Sequence, residues 1–285
     1  MKRVLVTGKS GYIGTKFKEW VEANNKEIKL DYISIRDDSW KEKDFSEYDT
    51  VLHLAGIAHV SRNPKLKELY YNINRDLTND LAKKSKNDGV NQFIFMSSII
   101  VYGKNSIGLV NGVIDSNTIP VPNDFYGDSK LQAEKLLNDL EDENFKIAIV
   151  RLPMVYGSKS KGNFQKIKKL SRYLPVFWGY PNYRSMIYVE NLSNFIYLLI
   201  KNTEEGLYYP QNSEYVNTSK MFVEIRKKEK KSTLEIKLFN PFISLMIPKV
   251  PIVNKIFGTL IYDKKMSLYS EDYNKYNFEK SIIGS

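Results

Sequence analysis

The sequence predicts an α/β fold in which helices cover both faces of a parallel β-sheet. Short apolar runs of strand length alternate with segments of helical spacing through the first half of the chain. The runs are apolar along their whole length, as expected of strands that are buried on both faces. After Tyr156 this alternation stops, which predicts a second, smaller C-terminal domain.

Each element is predicted from its own pattern. Strands are expected where β-branched and aromatic residues cluster, at residues 2–7 (KRVLVT), 32–35, 50–54 (TVLHL), 92–98 (QFIFMSS) and 146–152 (KIAIVRL). Helices are expected where apolar residues recur at spacings of three and four, at residues 15–24, 65–86 and 126–140. Residues 186–200 are expected to return to the sheet as a strand fragment and a helix. The sheet domain should then comprise residues 1–156 with about 185–201, and the smaller domain residues 157–184 with 202–285.

The composition excludes several kinds of site. The 285 residues include no cysteine and only two histidines, so we expect no thiolate chemistry and no zinc or other metal centre. His53 lies within an apolar strand and is expected to be structural, and His59 has no assigned role. The net charge of +10 favours anionic partners, although no nucleic-acid-binding signature is present. No apolar run is long enough to span a bilayer, and we expect a cytoplasmic protein.

A glycine-rich turn, TGKSGYIG at residues 7–14, lies between the first strand and the first helix. Its first glycine lets the chain turn, its second admits a pyrophosphate close to the backbone, and its third lets the helix pack on the sheet. The helix N-terminus adds free N–H groups and a positive dipole. This pattern predicts a doubly wound Rossmann sheet that binds a dinucleotide. The predicted contacts are Gly8, Ser10, Gly11, Tyr12, Ile13 and Gly14.

The residue that follows the second strand bears on which cofactor is used. An arginine there suits the 2′-phosphate of NADP(H), whereas a carboxylate suits a free ribose hydroxyl. We expect Ile35 to close the strand and Arg36 to follow it, which favours NADP(H). The neighbouring Asp37 leaves NAD(H) open, and a surface ion pair is the alternative role for Arg36.

Hydroxyl and ammonium groups are predicted near the same sheet edge. FMSSIIVYG, residues 95–103, places Ser97 and Ser98 at the carboxyl end of a parallel strand. In YGDSK, Tyr126 and Lys130 lie one helical turn apart on one face. A lysine ammonium and an oxidised nicotinamide would lower a phenol pKa from about 10. Tyr126 is therefore predicted to exchange a proton with a sugar hydroxyl or carbonyl, Ser98 to hold that oxygen, and Lys130 also to bind the nicotinamide ribose.

Four segments, in their order along the chain, resemble motifs of the extended short-chain dehydrogenase/reductases: TGKSGYIG, HLAG, FMSSIIVYG and YGDSK. That family includes UDP-galactose 4-epimerases, nucleotide-sugar 4,6-dehydratases and 4-keto reductases, and the resemblance covers about residues 1–200. It implies that Ser98, Tyr126 and Lys130 are catalytic, that Asn74 in INRDLT supports the site, and that the protein is a homodimer. The further dinucleotide contacts that it implies are Leu54, Ala55, Gly56, Asn74, Ser97, Tyr126, Lys130 and Pro153.

Within that family, RLPMVYG, GNFQKIKKLSRYLP and YYPQNSEYVNTS are most similar to capsule and O-antigen enzymes that act on UDP-linked N-acetylated 6-deoxyhexoses. The likeness places Asn163 and Phe164 near the sugar phosphate and uridine, and Phe177 beside uracil. It also implies that Arg184 grips the diphosphate, which suits its planar donor fork. The substrate contacts that it implies are Ser98, Tyr126, Met154, Asn163, Phe164, Phe177 and Arg184. The alternative for the two phenylalanines is a core position, and for Arg184 a surface cation.

Two departures from the family pattern narrow the activity. Ile99 and Ile100 stand where dehydratases carry an acid pair, and aliphatic side chains transfer no protons, so dehydration is not expected. Met154 stands where an asparagine commonly reaches the substrate. The resemblance then implies an NAD(P)-dependent enzyme that reduces the C4 keto group of a UDP-2-acetamido-2,6-dideoxy-4-hexulose for capsule or O-antigen polysaccharide. The alternatives are a 4-epimerase of the UDP-GlcNAc or UDP-glucose type and, more remotely, a non-catalytic dinucleotide-binding sensor or scaffold.

The segment LFNPFISLMIPKVPIVNKIFGTLIY, residues 238–262, is strongly apolar and contains lysines. Pro248 and Pro251 interrupt any long helix here, so we expect a helical lid of the substrate domain. Peripheral contact with an anionic membrane, or with a partner protein from a glycan assembly pathway, is the alternative interpretation.

Overall fold

The computed structural model describes residues 1–24, 26–58, 63–103, 112–160 and 162–285, so His59 lies outside the described residues. The chain divides into two compact units. The first unit comprises Met1–Lys104, Ile119–Leu152 and Leu192–Pro210, and the second comprises Asn105–Thr118, Pro153–Asn191 and Gln211–Ser285.

The strands and helices are numbered in chain order. The strands are β1 (Lys2–Thr7), β2 (Ile28–Ile33), β3 (Thr50–His53), β4 (Gln92–Ser98), β5 (Val113–Ile114), β6 (Lys146–Leu152), β7 (Met154–Tyr156), β8 (Val176–Trp178), β9 (Met186–Tyr188), β10 (Gly206–Tyr208), β11 (Leu234–Ile236) and β12 (Ile261–Tyr262). The helices are α1 (Tyr12–Ala23), α2 (Lys67–Tyr71), α3 (Leu77–Asn87), α4 (Phe125–Asn138), α5 (Asn163–Tyr173), α6 (Val189–Asn202), α7 (Thr218–Lys228), α8 (Asn240–Met246), α9 (Pro251–Phe257) and α10 (Phe278–Ile283).

The first unit is built on six parallel strands in the order β2-β1-β3-β4-β6-β10. The chain moves outward from β1 to β2 and then resumes at β3 on the other side of β1. This reversal leaves the carboxyl ends of β1 and β3 side by side, at the place where doubly wound sheets bind ligands. The predicted α/β class with a parallel doubly wound sheet is confirmed.

The core of this unit forms because the strands are apolar on both faces and the helices are apolar on one face. Aromatic rings from β4 and from the segments around it supply much of its volume, and leucines from α3 and α4 complete it. Its fully buried members include Leu5, Phe45, Val51, Leu81, Phe93, Phe95 and Leu137. The predicted strands at residues 2–7, 92–98 and 146–152 match the observed bounds.

Three elements differ from their predicted form. The second strand ends at Ile33, because the side chains of Ser34 and Asp37 accept backbone N–H groups and end the ladder. The predicted single helix at residues 65–86 contains a π-helical turn, Asn72–Asp76, between α2 and α3. The sixth strand of the sheet is β10, from the predicted smaller domain, whereas the strand fragment at Met186 pairs with β7 in the second unit.

The second unit contains three two-stranded pairs, β5–β12, β7–β9 and β8–β11. Its apolar core gathers Phe177, Phe222, Ile243 and Phe257, and the rings of Phe177 and Phe222 stack with their centroids 4.2 Å apart. Across the described parts of both units, no helix combines the length and apolarity needed to cross a membrane.

Candidate functional site

The glycine turn after β1 leaves an open helix end. Gly8 has a φ of +80°, and a Cβ on it would lie 2.9 Å from the backbone nitrogen of Ala55. A Cβ on Gly14 would lie 2.7 Å from the Gly8 carbonyl oxygen, so the turn and α1 stay in close contact. Gly11 caps α1 without a side chain, and the first turn of α1 contains no acidic residue. The free N–H groups at this helix end therefore suit the phosphates of a dinucleotide. The partly exposed segment Leu54–Ala55 lies against the same turn.

Lys130 lies on the inner face of α4 and is 6% exposed. Its Nζ donates to the Met96 carbonyl oxygen at 2.9 Å and lies 4.4 Å from the centre of the Phe95 ring. Burial lowers the pKa of Lys130 to about 8, although the charge of Glu134, one turn further along, opposes the shift. Lys130 is thus a buried ammonium that loses its proton more readily than an ordinary lysine.

Tyr126 and Ser98 are brought together as predicted, because the Ser98 hydroxyl forms a hydrogen bond with the Tyr126 phenol. Burial nevertheless raises the pKa of Tyr126 to about 12, and the Ser98 hydrogen bond opposes the shift only in part. Lys130 is not among the groups that shift this pKa in the protein alone, where its ammonium is directed to Met96 and Phe95. The prediction that Lys130 and an oxidised nicotinamide together lower the pKa stays a prediction. The phenol is therefore protonated throughout the neutral pH range.

Asn74 lies in the π-helical turn and is completely buried. Its side chain accepts from the Ile57 N–H at 2.9 Å and donates to the Ile57 carbonyl at 3.0 Å and to the Ser129 hydroxyl at 3.2 Å. A Cβ on Gly56 would lie 2.9 Å from Asn74 Oδ1 and 3.5 Å from Lys130 Nζ. The structure therefore gathers Gly56, Asn74 and Lys130 at one place, and the π turn aims Asn74 there.

His53 connects the glycine turn to this helix. Its Nδ1 lies 2.8 Å from the Thr7 hydroxyl and its Nε2 lies 3.0 Å from the Thr78 hydroxyl, which donates to the Asn74 carbonyl. Burial, followed by the charge of Lys130, lowers the pKa of His53 to about 3, so the ring is neutral at physiological pH. The structural role predicted for His53 is confirmed, while its part in positioning Asn74 was not foreseen.

A buried ion pair behind Lys130 was also missed by the sequence analysis. Arg151 on β6 donates to the Glu134 carboxylate at 2.6 Å and to the Tyr102 hydroxyl at 2.6 Å. The Ser97 hydroxyl donates to the same carboxylate. Ser97, a predicted cofactor contact, is 3% exposed and its hydroxyl is used in this network, so its contact with the cofactor stays a prediction. The signal was present in the sequence, because Glu134 follows Lys130 by four residues on the inward face of α4.

Arg36, the predicted reader of the cofactor phosphate, lies three residues beyond the observed end of β2 and is exposed. Its backbone N–H donates to the Ser34 hydroxyl at 3.4 Å. Ser34, which directly follows the strand, is therefore closer to the usual ribose position than Arg36 is. The preference for a 2′-phosphate stays a prediction.

Apart from Ser98 and Tyr126, the residues predicted to bind the sugar nucleotide lie in the second unit. Asn163 is exposed as the first residue of α5, Met154 is partly exposed on β7, and the predicted cofactor contact Pro153 is buried. Phe164 is completely buried against the Tyr156 ring, and Phe177 is stacked on Phe222. Both phenylalanines are buried in the core, as their alternative interpretation expected, and their contact with uridine stays a prediction.

Arg184 is partly buried. Its Nη2 donates to the carbonyl oxygens of Asn254 at 2.6 Å and Lys255 at 2.9 Å, near the end of α9. Burial lowers the pKa of Arg184 to about 10, and among the described residues no carboxylate forms an ion pair with it. A cation with this environment is suited to an anionic ligand, because its charge is not already neutralised.

The buried ammonium of Lys130 gives a pH-dependent stability. Because its pKa falls from 10.5 to about 8 on folding, the unfolded chain binds more protons between these values. The cost of burying the charge is present below about pH 8 and fades as the pH rises toward 10.5. Relative to the natural protein, Lys130→Met should therefore be more stable near pH 7 than near pH 10, by up to roughly 3 kcal/mol. Denaturant unfolding at both pH values measures this difference.

Lys135→Met is the matched control, because Lys135 is exposed on the same helix. Its effect on the free energy of unfolding should not change between the two pH values. If the effect of Lys130→Met on the free energy of unfolding were also the same at both pH values, the burial cost assigned to Lys130 would be contradicted.

Three comparisons relate this geometry to known proteins. The NAD dependent epimerase/dehydratase family matches residues 4–210. A UDP-glucose 4-epimerase of Vibrio cholerae is 29% identical, over 92% of this chain and 87% of its own length. A second relative, 28% identical, is the N-acetyl-α-D-glucosaminyl-diphospho-ditrans,octacis-undecaprenol 4-epimerase of Escherichia coli O157:H7. The match covers 90% of this chain and 81% of that protein. A dTDP-4-dehydrorhamnose reductase of Clostridium acetobutylicum has a similar fold, with a TM-score of 0.75, 15% identity and coverage of 99% of this chain and 97% of its own.

The family match covers the glycine turn, Asn74, Ser98, Tyr126 and Lys130 in one continuous stretch. The chain therefore belongs to the NAD-dependent epimerase/dehydratase family and is an NAD(P)-dependent enzyme of the extended short-chain dehydrogenase/reductase type.

Proposed function

We propose that this enzyme is a nucleotide-sugar 4-keto reductase that acts on a UDP-2-acetamido-2,6-dideoxy-4-hexulose and supplies a sugar for capsule or O-antigen polysaccharide. The observation that carries the proposal is the pairing of Tyr126 with Ser98, whose hydroxyl hydrogen-bonds the phenol. Like an ordinary tyrosine, Tyr126 holds its proton at neutral pH, because burial raises its pKa further, to about 12. Reduction of a ketone requires a proton donor at the carbonyl oxygen, and this chain has one ready.

The residues have separate roles in this reaction. A bound nicotinamide dinucleotide would supply the hydride that reaches C4. Ser98 hydrogen-bonds the C4 oxygen and orients it. Tyr126 gives up its O–H proton, so that a new O–H bond forms on the sugar and a phenolate remains. Lys130, whose pKa is about 8, is mostly protonated at pH 7 and favours that phenolate electrostatically.

The second unit supports a sugar-nucleotide substrate. Arg184 combines a buried guanidinium with the lack of any ion pair to a described carboxylate, which suits a diphosphate. Asn163 is exposed at the start of α5, where its amide is free to reach a ligand. Aliphatic Ile99 and Ile100 after β4 leave no acid pair for dehydration.

A 4-epimerase is the second candidate, because two relatives that match most of this chain carry that activity in their names. An epimerase must first remove a proton from the sugar hydroxyl, which calls for a phenolate. A bound oxidised nicotinamide would favour that phenolate, so both activities are able to use the Ser98–Tyr126 pair, and net consumption of cofactor distinguishes them. Membership of an enzyme family and the assembled Ser98–Tyr126 pair argue against a non-catalytic sensor.

The direct test is an assay with a panel of UDP-4-keto sugars and both reduced cofactors. The reductase should consume one NADPH or NADH per sugar, followed by nicotinamide absorbance, and NMR should show a new C4 hydroxyl. Interconversion of two C4 epimers without net loss of cofactor would establish the epimerase in its place.

Tyr126→Phe removes the proposed proton donor and keeps the ring. We expect turnover to fall by a factor of ~100 or more, the scale of a lost acid-base group, while dinucleotide binding is retained. Tyr71→Phe is the matched control, because it removes a phenol that donates to Asp128 and has no proposed role in the reaction, and it should keep near-normal turnover. Steady-state kinetics with fluorescence titration of the cofactor separate the two effects, and an unchanged rate for Tyr126→Phe would refute the assignment.

Arg36→Ala tests the preference for NADP(H). If Arg36 binds the 2′-phosphate, its loss should weaken NADPH binding by roughly tenfold or more, since a hydrogen bond to a charged group contributes about 1.5–3 kcal/mol. NADH binding should stay nearly unchanged. Isothermal titration of both cofactors measures the two constants, and an equal effect on both would contradict the role.

A further inference from the structure

The second unit exposes a group of large apolar side chains on and beside α8 and α9. Leu238 is 82% exposed, Phe242 59%, and Ile252 65%. We call this surface the α8–α9 patch, and its members are Leu238, Phe239, Phe242, Leu245 and Ile252. The two helices contact each other, so the members of the patch lie on neighbouring elements.

Helix α8 is apolar on two sides. Ile243 and Ile247, four residues apart, face the core around Phe177. Phe242 and Leu245, three residues apart, share a different face and are exposed. A surface helix normally carries polar residues opposite its buried face, and contiguous exposed apolar surfaces mark sites of contact. The outward face of α8 therefore calls for a partner that accepts apolar side chains.

The charges around the patch specify that partner. Residues 237–262 contain three lysines, Lys237, Lys249 and Lys255, and no aspartate or glutamate. All three lysines are exposed. Exposed aromatic and aliphatic side chains flanked by ammonium groups complement an anionic lipid surface, in which acyl chains lie beneath phosphates. A two-fold contact between copies would instead bring the same lysines together with no acidic residue in the segment to pair with them.

We propose that the α8–α9 patch docks the protein peripherally on an anionic lipid bilayer. Phe242, Leu245 and Ile252 enter the boundary between headgroups and acyl chains, and the three lysines contact lipid phosphates. The docking is peripheral, because no helix among the described residues is able to span the bilayer.

The patch is also connected to a predicted ligand residue. The Arg184 guanidinium donates to the carbonyls of Asn254 and Lys255 in α9, the helix that carries Ile252. A change in α9 on docking would therefore be transmitted to Arg184. This link to the diphosphate rests on the proposed function, whereas the docking itself does not.

Flotation with lipid vesicles tests the docking on the full chain without any activity assay. The protein should float with vesicles of phosphatidylcholine and phosphatidylglycerol, less so at high salt, and stay in solution with phosphatidylcholine alone. The triple variant Phe242→Ser, Leu245→Ser, Ile252→Ser should lose flotation. Replacing Lys237, Lys249 and Lys255 with alanine should weaken partitioning on the order of 100-fold, since each basic residue contributes about fivefold.

Ile283→Ser is the matched control, because Ile283 is 68% exposed on α10, outside the patch, and it should float like the natural protein. Circular dichroism and dinucleotide titration verify that every variant is folded. Failure of the natural protein to float with anionic vesicles, or equal flotation of the patch variants, overturns the proposal. A smaller particle mass in light scattering for the serine variant, with flotation unchanged, overturns it in favour of contact between copies.

Discussion

The active-site half of this enzyme depends on one buried cation, the ammonium of Lys130. A buried lysine loses hydration that the fold must replace. The Met96 carbonyl and the face of Phe95 replace part of it, and the Glu134 carboxylate adds attraction from one turn away. Glu134 is in turn held by Arg151 and Ser97. The strands β4 and β6 therefore serve the site as well as the core, because each contributes polar groups to the surroundings of Lys130.

This arrangement also bears on the protonation of Tyr126. The ammonium is directed to β4, and burial acts on the Tyr126 phenol with only Ser98 in opposition, so the pKa of the phenol rises. In the protein alone, the Tyr126 phenol is therefore protonated at pH 7, and the Lys130 amine is mostly protonated. A base at the same position would require additional positive charge close to the phenol.

The sequence predicted most of the first unit, because its strands are continuous apolar runs and its glycine turn has a steric requirement. β4 and β6 match their predicted bounds, and Gly8 has the positive φ that its place in the turn required. The end of β2 was misplaced because short side-chain hydrogen bonds from Ser34 and Asp37 compete with the ladder there.

The site was harder to predict where burial decides the role. A phenylalanine that stacks on a ligand cannot be told from a core phenylalanine by its residue type. Only the packing of Phe164 against Tyr156 and of Phe177 against Phe222 shows that these two rings lie in the core. The Glu134–Arg151 pair was missed because its members are 17 residues apart and meet only when α4 packs on the sheet.

In the second unit, the helix α8 carries apolar side chains both on its inward face and on its outward face. The apolar segment after Leu238 was expected to be a lid, and its inward residues Ile243 and Ile247 do pack on the core of the unit. A lid that only covered this core would have no need of Phe242 and Leu245 on the outside. Polar replacements there would leave the inner packing unchanged, so the outward apolar face is a property of the surface and not of the fold. Within residues 237–262 the charged side chains are all lysines, although Glu235 lies beside Lys237, so the surface is matched to an extended anionic layer better than to a copy of itself.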